Sequence, residues 1–177
     1  LLIGANPRYE ATMINARIRK TYVNNNTKII SLNNVGDLTY DYLSLDGKTQ
    51  TIKNIIEDKN DISKLIIDSK KPMIIFGESF LNLKSGKYLF NCFKEFLLKN
   101  NKLTEDWNPI NILSVDAASV GNFDLDIIDE SNKLLEDLIE NKFEIVYLLG
   151  RDNFNFKKKN EFVIYQGSHG DKGAEIA

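Results

Sequence analysis

Three stretches of this chain carry residue types that suit a reacting or ligand-holding site. Gly77-Glu78-Ser79-Phe80-Leu81 sets a serine after an apolar run and before a helical segment, close to the G-x-S-x-G turn that presents a nucleophile, with Leu81 in place of the closing glycine. A serine nucleophile needs a base. The sole histidine, His169, lies in Gly167-Ser168-His169-Gly170-Asp171, a loop that would set it beside Asp171. Such a loop is more often a tight turn with polar tips, so a hydrolase built on Ser79 and His169 is the weakest functional reading. The second stretch, Leu1-Leu2-Ile3-Gly4-Ala5-Asn6-Pro7, runs from an apolar strand through a glycine into a helix start. Its backbone N–H groups could hold a phosphate, with Gly4, Asn6 and Arg8 at the anion. A dinucleotide fingerprint would have three glycines in G-x-G-x-x-G, and here Asn6 and Tyr9 stand at the later two positions, where a side chain impedes the approach of backbone to pyrophosphate. The third stretch holds Asp124, Asp126, Asp129 and Glu130, carboxylates suited to a divalent cation. They lack the spacing and glycine of an EF-hand loop and read better as a solvated helix entrance.

The rest of the composition narrows the classes. A lone cysteine, Cys92, excludes an internal disulfide and any iron–sulfur or zinc site that needs several thiolates from this chain. Its neighbours Leu89, Phe90, Phe93 and Phe96 predict a buried, inert thiol. One histidine likewise excludes zinc sites built on several histidines. The formal net charge of -2 and the scattered lysines argue against a nucleic-acid footprint, and Lys157-Lys158-Lys159 reads as a solvated turn. No apolar run reaches the ~20 residues of a membrane span. In 177 residues, 42% are hydrophobic, enough for a sizeable core. The absence of an initial Met and the ending Ala-Glu-Ile-Ala lead us to expect a piece of a longer polypeptide or one product of a split gene.

These candidate residues must be positioned by alternating strands and helices. Leu1-Leu2-Ile3 predicts a strand buried on both faces. Asn6 is expected to cap the following helix, with Pro7 at its first position. Ala11, Ile14, Ile18 and Tyr22 predict the buried stripe of that helix, and Arg17, Arg19 and Lys20 gather toward its end. A strand is expected over 28–32, an aperiodic connection over 33–47, and a helix from Thr49 to about Ser69, broken near Lys59-Asn60. Pro72 to Gly77 repeats the formula of apolar strand and glycine. Further expected elements are a helix over 86–98, a strand over 111–115, a helix over 131–140, and strands over 144–149 and 162–165. This alternation predicts an α/β fold, a three-layer sandwich with a mostly parallel sheet in two packed units. The boundary is expected around residues 45 to 70, and the division is drawn as a first α/β unit at 1–45 and a second, C-terminally truncated one at 46–177.

Four strings resemble one family: LLIGANPRYEATMINARIRK at 1–20, DLTYDY at 37–42, KKPMIIFG at 70–77 and YQGSHGDKGAEIA at 165–177. In order and approximate spacing they resemble the C-terminal region of the large iron–sulfur subunit of respiratory complex I, NADH:ubiquinone oxidoreductase. Long strings such as NPRYEA and YQGSHGDKGA are far more specific than a glycine motif. The resemblance implies a Rossmann-like fold of the molybdopterin-oxidoreductase type, shared with formate dehydrogenase and DMSO reductase. Enzymes of that wider family place a Gly-x-Asn-Pro turn near a pterin dinucleotide and follow the next strand with an Asp-Pro-Arg type motif, where this chain has Ser31-Leu32-Asn33-Asn34.

The resemblance therefore implies a vestigial nucleotide-type turn at Gly4, Asn6, Pro7 and Arg8, with no catalytic residue, metal or cofactor in this chain. Iron–sulfur clusters, FMN and NADH are expected elsewhere in the complex. Expected partners are other peripheral-arm subunits, above all the cluster-bearing part of the same subunit, with no nucleic acid and no direct membrane insertion. The expected location is the matrix side of the mitochondrial inner membrane, or the cytoplasmic side of a bacterial one. Arg8 and Glu10 are expected to serve structure and assembly. The alternative is a module that still holds a pterin or purine nucleotide at Gly4, Asn6 and Arg8.

Overall fold

The computed structural model describes residues 1–115, 119–127, 133–151, 156–168, 170 and 172–177. It forms two compact units, Leu1–Ser119 and Val120–Ala177. In chain order the first unit contains β1 (Leu2–Ile3), α1 (Pro7–Glu10), α2 (Thr12–Asn25), β2 (Ile30–Ser31), β3 (Leu43–Ser44), α3 (Thr49–Ile56), α4 (Asp61–Asp68), β4 (Ile74–Gly77), α5 (Glu78–Leu81), α6 (Gly86–Lys99) and β5 (Ile110–Leu113). The short helix α7 (Ser119–Asp124) starts at the boundary, and the second unit continues with α8 (Lys133–Ile139), β6 (Ile145–Leu149), β7 (Phe162–Gln166) and α9 (Lys172–Glu175).

All five strands of the first unit pair in parallel, in the order β3-β2-β1-β4-β5. This is the order in which the chain winds one way from β1 to β3 and then returns to the other side, so β1 and β4 flank a topological switch point. The expected parallel α/β fold is borne out. Successive strand residues point to opposite faces, and each face has its own apolar cluster. Ile3, Ile74 and Phe76 pack with Ile52, Ile55, Ile62, Ile66, Phe93 and Leu97 under α3, α4 and α6. Leu2 and Ile75 pack on the other face with Ala5, Leu38, Tyr40 and Leu113, against Ile18 and Tyr22 of α2. Phe76 sits among three aromatic rings, with centroids of Phe80, Phe90 and Phe93 at 5.5, 5.1 and 5.6 Å. Burying each such ring contributes about 1.5–3 kcal/mol.

Local chemistry explains the helix boundaries. Pro7 occupies the first position of α1, as expected. The break between α3 and α4 also falls where expected: Asp58 takes a left-handed conformation (φ 56°), and the Asn60 side chain caps α4 by accepting from Ile62 N at 3.0 Å. Two expectations for the opening helix need correction. Asn6 makes no side-chain cap, because its amide turns away to donate to Val35 O at 3.0 Å. The helix is also interrupted at Ala11 (φ −154°) and restarts at Thr12. That interruption resets the phase, so Asn15 is buried where Ile14 was expected and Ile14 is exposed.

The connection over 33–47, expected to be aperiodic, contributes the edge strand β3, too short to show a period. Strands from both sides of residue 45 share the five-stranded sheet, and the compact units part after Ser119. Cys92 is half-buried, not buried, on α6.

In the second unit β6 and β7 pair in parallel, Ile145 opposite Phe162 through Leu149 opposite Gln166. Leu138, Leu148 and Val163 are buried, while Ile145, Tyr147, Leu149, Phe162 and Ile164 are exposed. The expected helix over 131–140 and strands over 144–149 and 162–165 are found within one or two residues, except that 131 and 132 lie outside the described residues.

Candidate functional site

In open parallel sheets a ligand binds beyond the carboxyl ends of the strands at the switch point. Here that place is a cleft of about 340 Å³ lined by Gly4, Ala5, Asn6, Glu10, Asn33, Asn34, Val35 and Ser79. A larger groove, about 380 Å³, lies at the opposite, amino ends of the strands and is lined mostly by apolar residues, without a convergent polar set.

The crevice between β1 and β4 is closed by protein. Gly77, the last residue of β4, lies so near the first turn that a Cβ there would fall 1.9 Å from Gly4 O. Gly4 has φ 63°, a left-handed conformation that favours glycine, and a Cβ on it would fall 2.6 Å from Phe80 Cβ. The Ser79 hydroxyl donates to Gly4 O at 2.6 Å. Both glycines thus serve close approach between two turns of the same chain. Ser79, the candidate nucleophile, has its proton committed to a backbone carbonyl, and its candidate base His169, with Asp171, lies outside the described residues.

An N–H of the first turn is also engaged. Asn6 N donates to Glu10 Oε2 at 3.1 Å, so a carboxylate of this chain stands where a phosphate oxygen would sit. The Arg8 guanidinium reaches away from the cleft to Asp37, bonding its carbonyl oxygen at 2.5 Å and pairing with its carboxylate. The Thr39 N–H and the Arg8 cation together hold the Asp37 carboxyl below the usual carboxylate range, and Asp37 in turn raises the pKa of Arg8. At the end of β2, Asn34 Oδ1 accepts from Gly36 N at 2.9 Å and stabilises the loop itself. A pterin dinucleotide does not fit this arrangement. Its phosphate would meet the Glu10 carboxylate, Arg8 is turned to Asp37, and Ser31-Leu32-Asn33-Asn34 at the end of β2 holds neither acid nor arginine. One feature of the opposite kind is Asn6 Oδ1, which is buried without a hydrogen-bond partner among the described residues.

What these residues do together is strap the loop 33–42 to the first helices. Asn6 bonds Val35 O, Arg8 bonds Asp37, and Asn15 Nδ2 donates to Leu38 O at 3.0 Å. Tyr40 completes the strap by donating to Asn15 Oδ1 at 2.7 Å, and burial pushes its hydroxyl up to about 12. Sequence reasoning missed Asn15. The signal was its place in the spacing 11, 15, 18, 22, one polar residue on an otherwise apolar stripe. It also missed the role of Glu78, which accepts from Ser114 Oγ at 2.7 Å and Val115 N at 3.0 Å and so fastens the end of β5 beside β4. Of the acidic cluster, Asp124 ends α7 and Asp126 sits in a turn with φ 55°, while Asp129 and Glu130 lie outside the described residues. Among the described residues no three metal-ligating side chains converge.

The family model described as molybdopterin oxidoreductase matches residues 1–177. The chain is 36% identical over 98% of its length to the mitochondrial NADH dehydrogenase [ubiquinone] iron-sulfur protein 1 of Solanum tuberosum, covering 23% of that protein. It is 38% identical over its whole length to the NADH-ubiquinone oxidoreductase 75 kDa subunit of Reclinomonas americana, covering 26% of it, and 34% identical to the mitochondrial 78 kDa subunit of Candida albicans, covering 24%. The chain spans about a quarter of the length of these relatives. A parallel sheet in switch-point order and a match across every residue together place this chain in the molybdopterin oxidoreductase family.

Proposed function

We propose that this chain is a noncatalytic scaffold within the large iron–sulfur subunit of respiratory complex I, contributing rigidity and assembly to an arm that carries electrons from NADH to quinone. The observation that carries the reading is the closed switch point: Ser79 bonded to Gly4, and Glu10 on the N–H that a phosphate would need. Similarity to subunits of NADH-ubiquinone oxidoreductases supports the setting. In this reading the clusters, FMN and NADH are bound elsewhere in the complex, and no residue of this chain transfers an electron. Among the described residues no helix is long and apolar enough to cross a membrane, in keeping with a place in the matrix-side arm at the mitochondrial inner membrane.

The test is to purify the native assembly through a tag on this chain. We expect NADH-linked redox activity in the assembly, and neither iron nor molybdenum in this chain after it is separated. Stoichiometric metal in the separated chain overturns the proposal, as does co-purification with no NADH-oxidising activity.

A second reading draws on the unpartnered Asn6 Oδ1 in the cleft: a residual pterin or purine site with Gly4, Asn6 and Arg8, formed only once Glu10 leaves Asn6 N and Arg8 leaves Asp37. It requires nucleotide released on denaturation of the assembly and attributable to this chain. Finding none leaves the scaffold reading.

A further inference from the structure

Helix α2 presents a face for which the described residues of the first unit offer no counterpart. Its inward side meets the sheet through Ile18 and Tyr22 and the loop 33–42 through Asn15. At 3.6 residues per turn, Met13, Ala16, Arg17, Lys20 and Val23 form the opposite stripe, spaced i, i+3, i+4, i+7 and i+10, and all five are exposed. Met13 and Val23 are 74% and 68% exposed, large values for apolar residues that stand at the two ends of one stripe. They lie about 15 Å apart along the axis, with the two cations between them.

The charge on this helix is one-sided. From Ala11 to Gly36 the sequence contains Arg17, Arg19, Lys20 and Lys28 and no acidic residue, although the whole chain carries a net charge of -2. Among the described residues no ion pair is made by Arg17, Arg19 or Lys20. An exposed helix is ordinarily supported by oppositely charged neighbours one turn apart, and like charges at that spacing oppose it. Carboxylates one turn from Arg17 and Lys20 would offset this like-charge repulsion.

We propose that the Met13-Arg17-Lys20-Val23 face of α2 is a docking surface for an acidic protein surface, two carboxylates flanked by apolar pockets. The inference rests on the scaffold reading and names the chemistry of one of its contacts. Met and Arg are enriched at protein interfaces, in keeping with such a partner. A helix that lies on lipid carries a continuous apolar face, whereas here cations interrupt it. A polyanionic nucleic acid calls for a broader basic patch than Arg17 and Lys20 provide on an acidic chain.

The experiment uses the native assembly purified through a tag on this chain. Zero-length carbodiimide coupling, which joins a lysine amine to a contacting carboxylate with loss of water, should link Lys20 to an Asp or Glu beyond residues 1–177. Arg17→Glu with Lys20→Glu should reduce incorporation of the chain about tenfold. The charge-conserving pair Arg17→Lys with Lys20→Arg should restore it, which separates lost charge from lost fold. The proposal is overturned if Lys20 stays unlinked and the reversed pair assembles normally. It is also overturned if the reversal abolishes only binding to vesicles of equimolar phosphatidylcholine and phosphatidylserine. Normal incorporation of the reversed pair into an NADH-oxidising complex would leave the scaffold reading standing. A Lys20 link to an acidic protein outside any such complex would do the opposite.

Discussion

The Ser79 hydroxyl donates to the Gly4 carbonyl oxygen at 2.6 Å, joining the turn after β4 to the turn after β1 across the switch point. At the same junction a Cβ on Gly77 would fall 1.9 Å from that oxygen and 2.6 Å from Gly4 C, a clash of side chain with backbone that no rotamer relieves. Gly77→Ala should therefore cost about 3 kcal/mol or more, while Ser79→Ala, which removes one hydrogen bond, should cost about 1 kcal/mol. Urea unfolding followed by the fluorescence of Trp107 measures both. Equal losses for the two variants would contradict the assignment, and so would a Ser79→Ala variant that abolished an esterase activity.

Asn15 and Tyr40 form a buried pair that fastens the loop to α2. Tyr40→Phe leaves Asn15 Oδ1 without its donor and should destabilise by roughly 1–3 kcal/mol. The Tyr40 hydroxyl has its pKa raised from 10.0 to about 12, so the neutral form is the one the fold favours. Its contribution is present below pH 10 and is lost as pH rises toward 12. Alkaline unfolding should begin in that window and be less steep in Tyr40→Phe. Identical alkaline curves would disprove the link.

Glu78 and Asp37 titrate in the opposite sense. Hydrogen bonds from Ser114 and Val115 lower the Glu78 carboxyl below its ordinary 4.5, and Thr39 N–H and Arg8 lower Asp37 below 3.8. A depressed folded-state pKa gives stability that is present above the ordinary value and lost as pH falls through the folded one. Acid unfolding should set in below 4.5, and Glu78→Gln should flatten that limb. A pH titration of the melting temperature checks it.

Arg8 and Glu10 hold the opening turn to its surroundings, Arg8 through Asp37 and Glu10 through Asn6 N. Arg8→Ala should lower the amount of assembled complex and leave turnover per complex unchanged. Native gels read the first and NADH oxidation the second. Normal assembly with turnover sharply reduced would place Arg8 in the reaction.

The exposed face of the β6–β7 pair carries Ile145, Tyr147, Leu149, Phe162 and Ile164. Parallel strands are normally covered on both faces, and an apolar patch of this kind promotes association. The chain made alone should self-associate with rising concentration, and Leu149→Lys with Phe162→Lys should reduce this several-fold by light scattering. A monomeric mass for the unmodified chain at all concentrations would refute it.

Much of this architecture follows from short-range pattern. Continuous apolar runs ended by glycine mark β1 and β4 because a strand covered on both faces has no polar side to alternate with. Pro7 at a helix start and the break between α3 and α4 are likewise local, since backbone conformation at Pro, Asp and Asn depends mainly on immediate neighbours. The family strings at 1–20 and 165–177 were legible in the same way. Tertiary structure alone decided which residues of the first turn remain free. Arg8 meets Asp37, Asn15 meets Tyr40 and Ser79 meets Gly4 at separations of 29, 25 and 75 residues. Such partners leave no periodic trace, because a hydrogen bond between distant segments constrains only its two end residues. The unit boundary after Ser119 belongs to the same class: it follows from β4 and β5 joining the sheet begun by β1, a matter of strand pairing and not of composition.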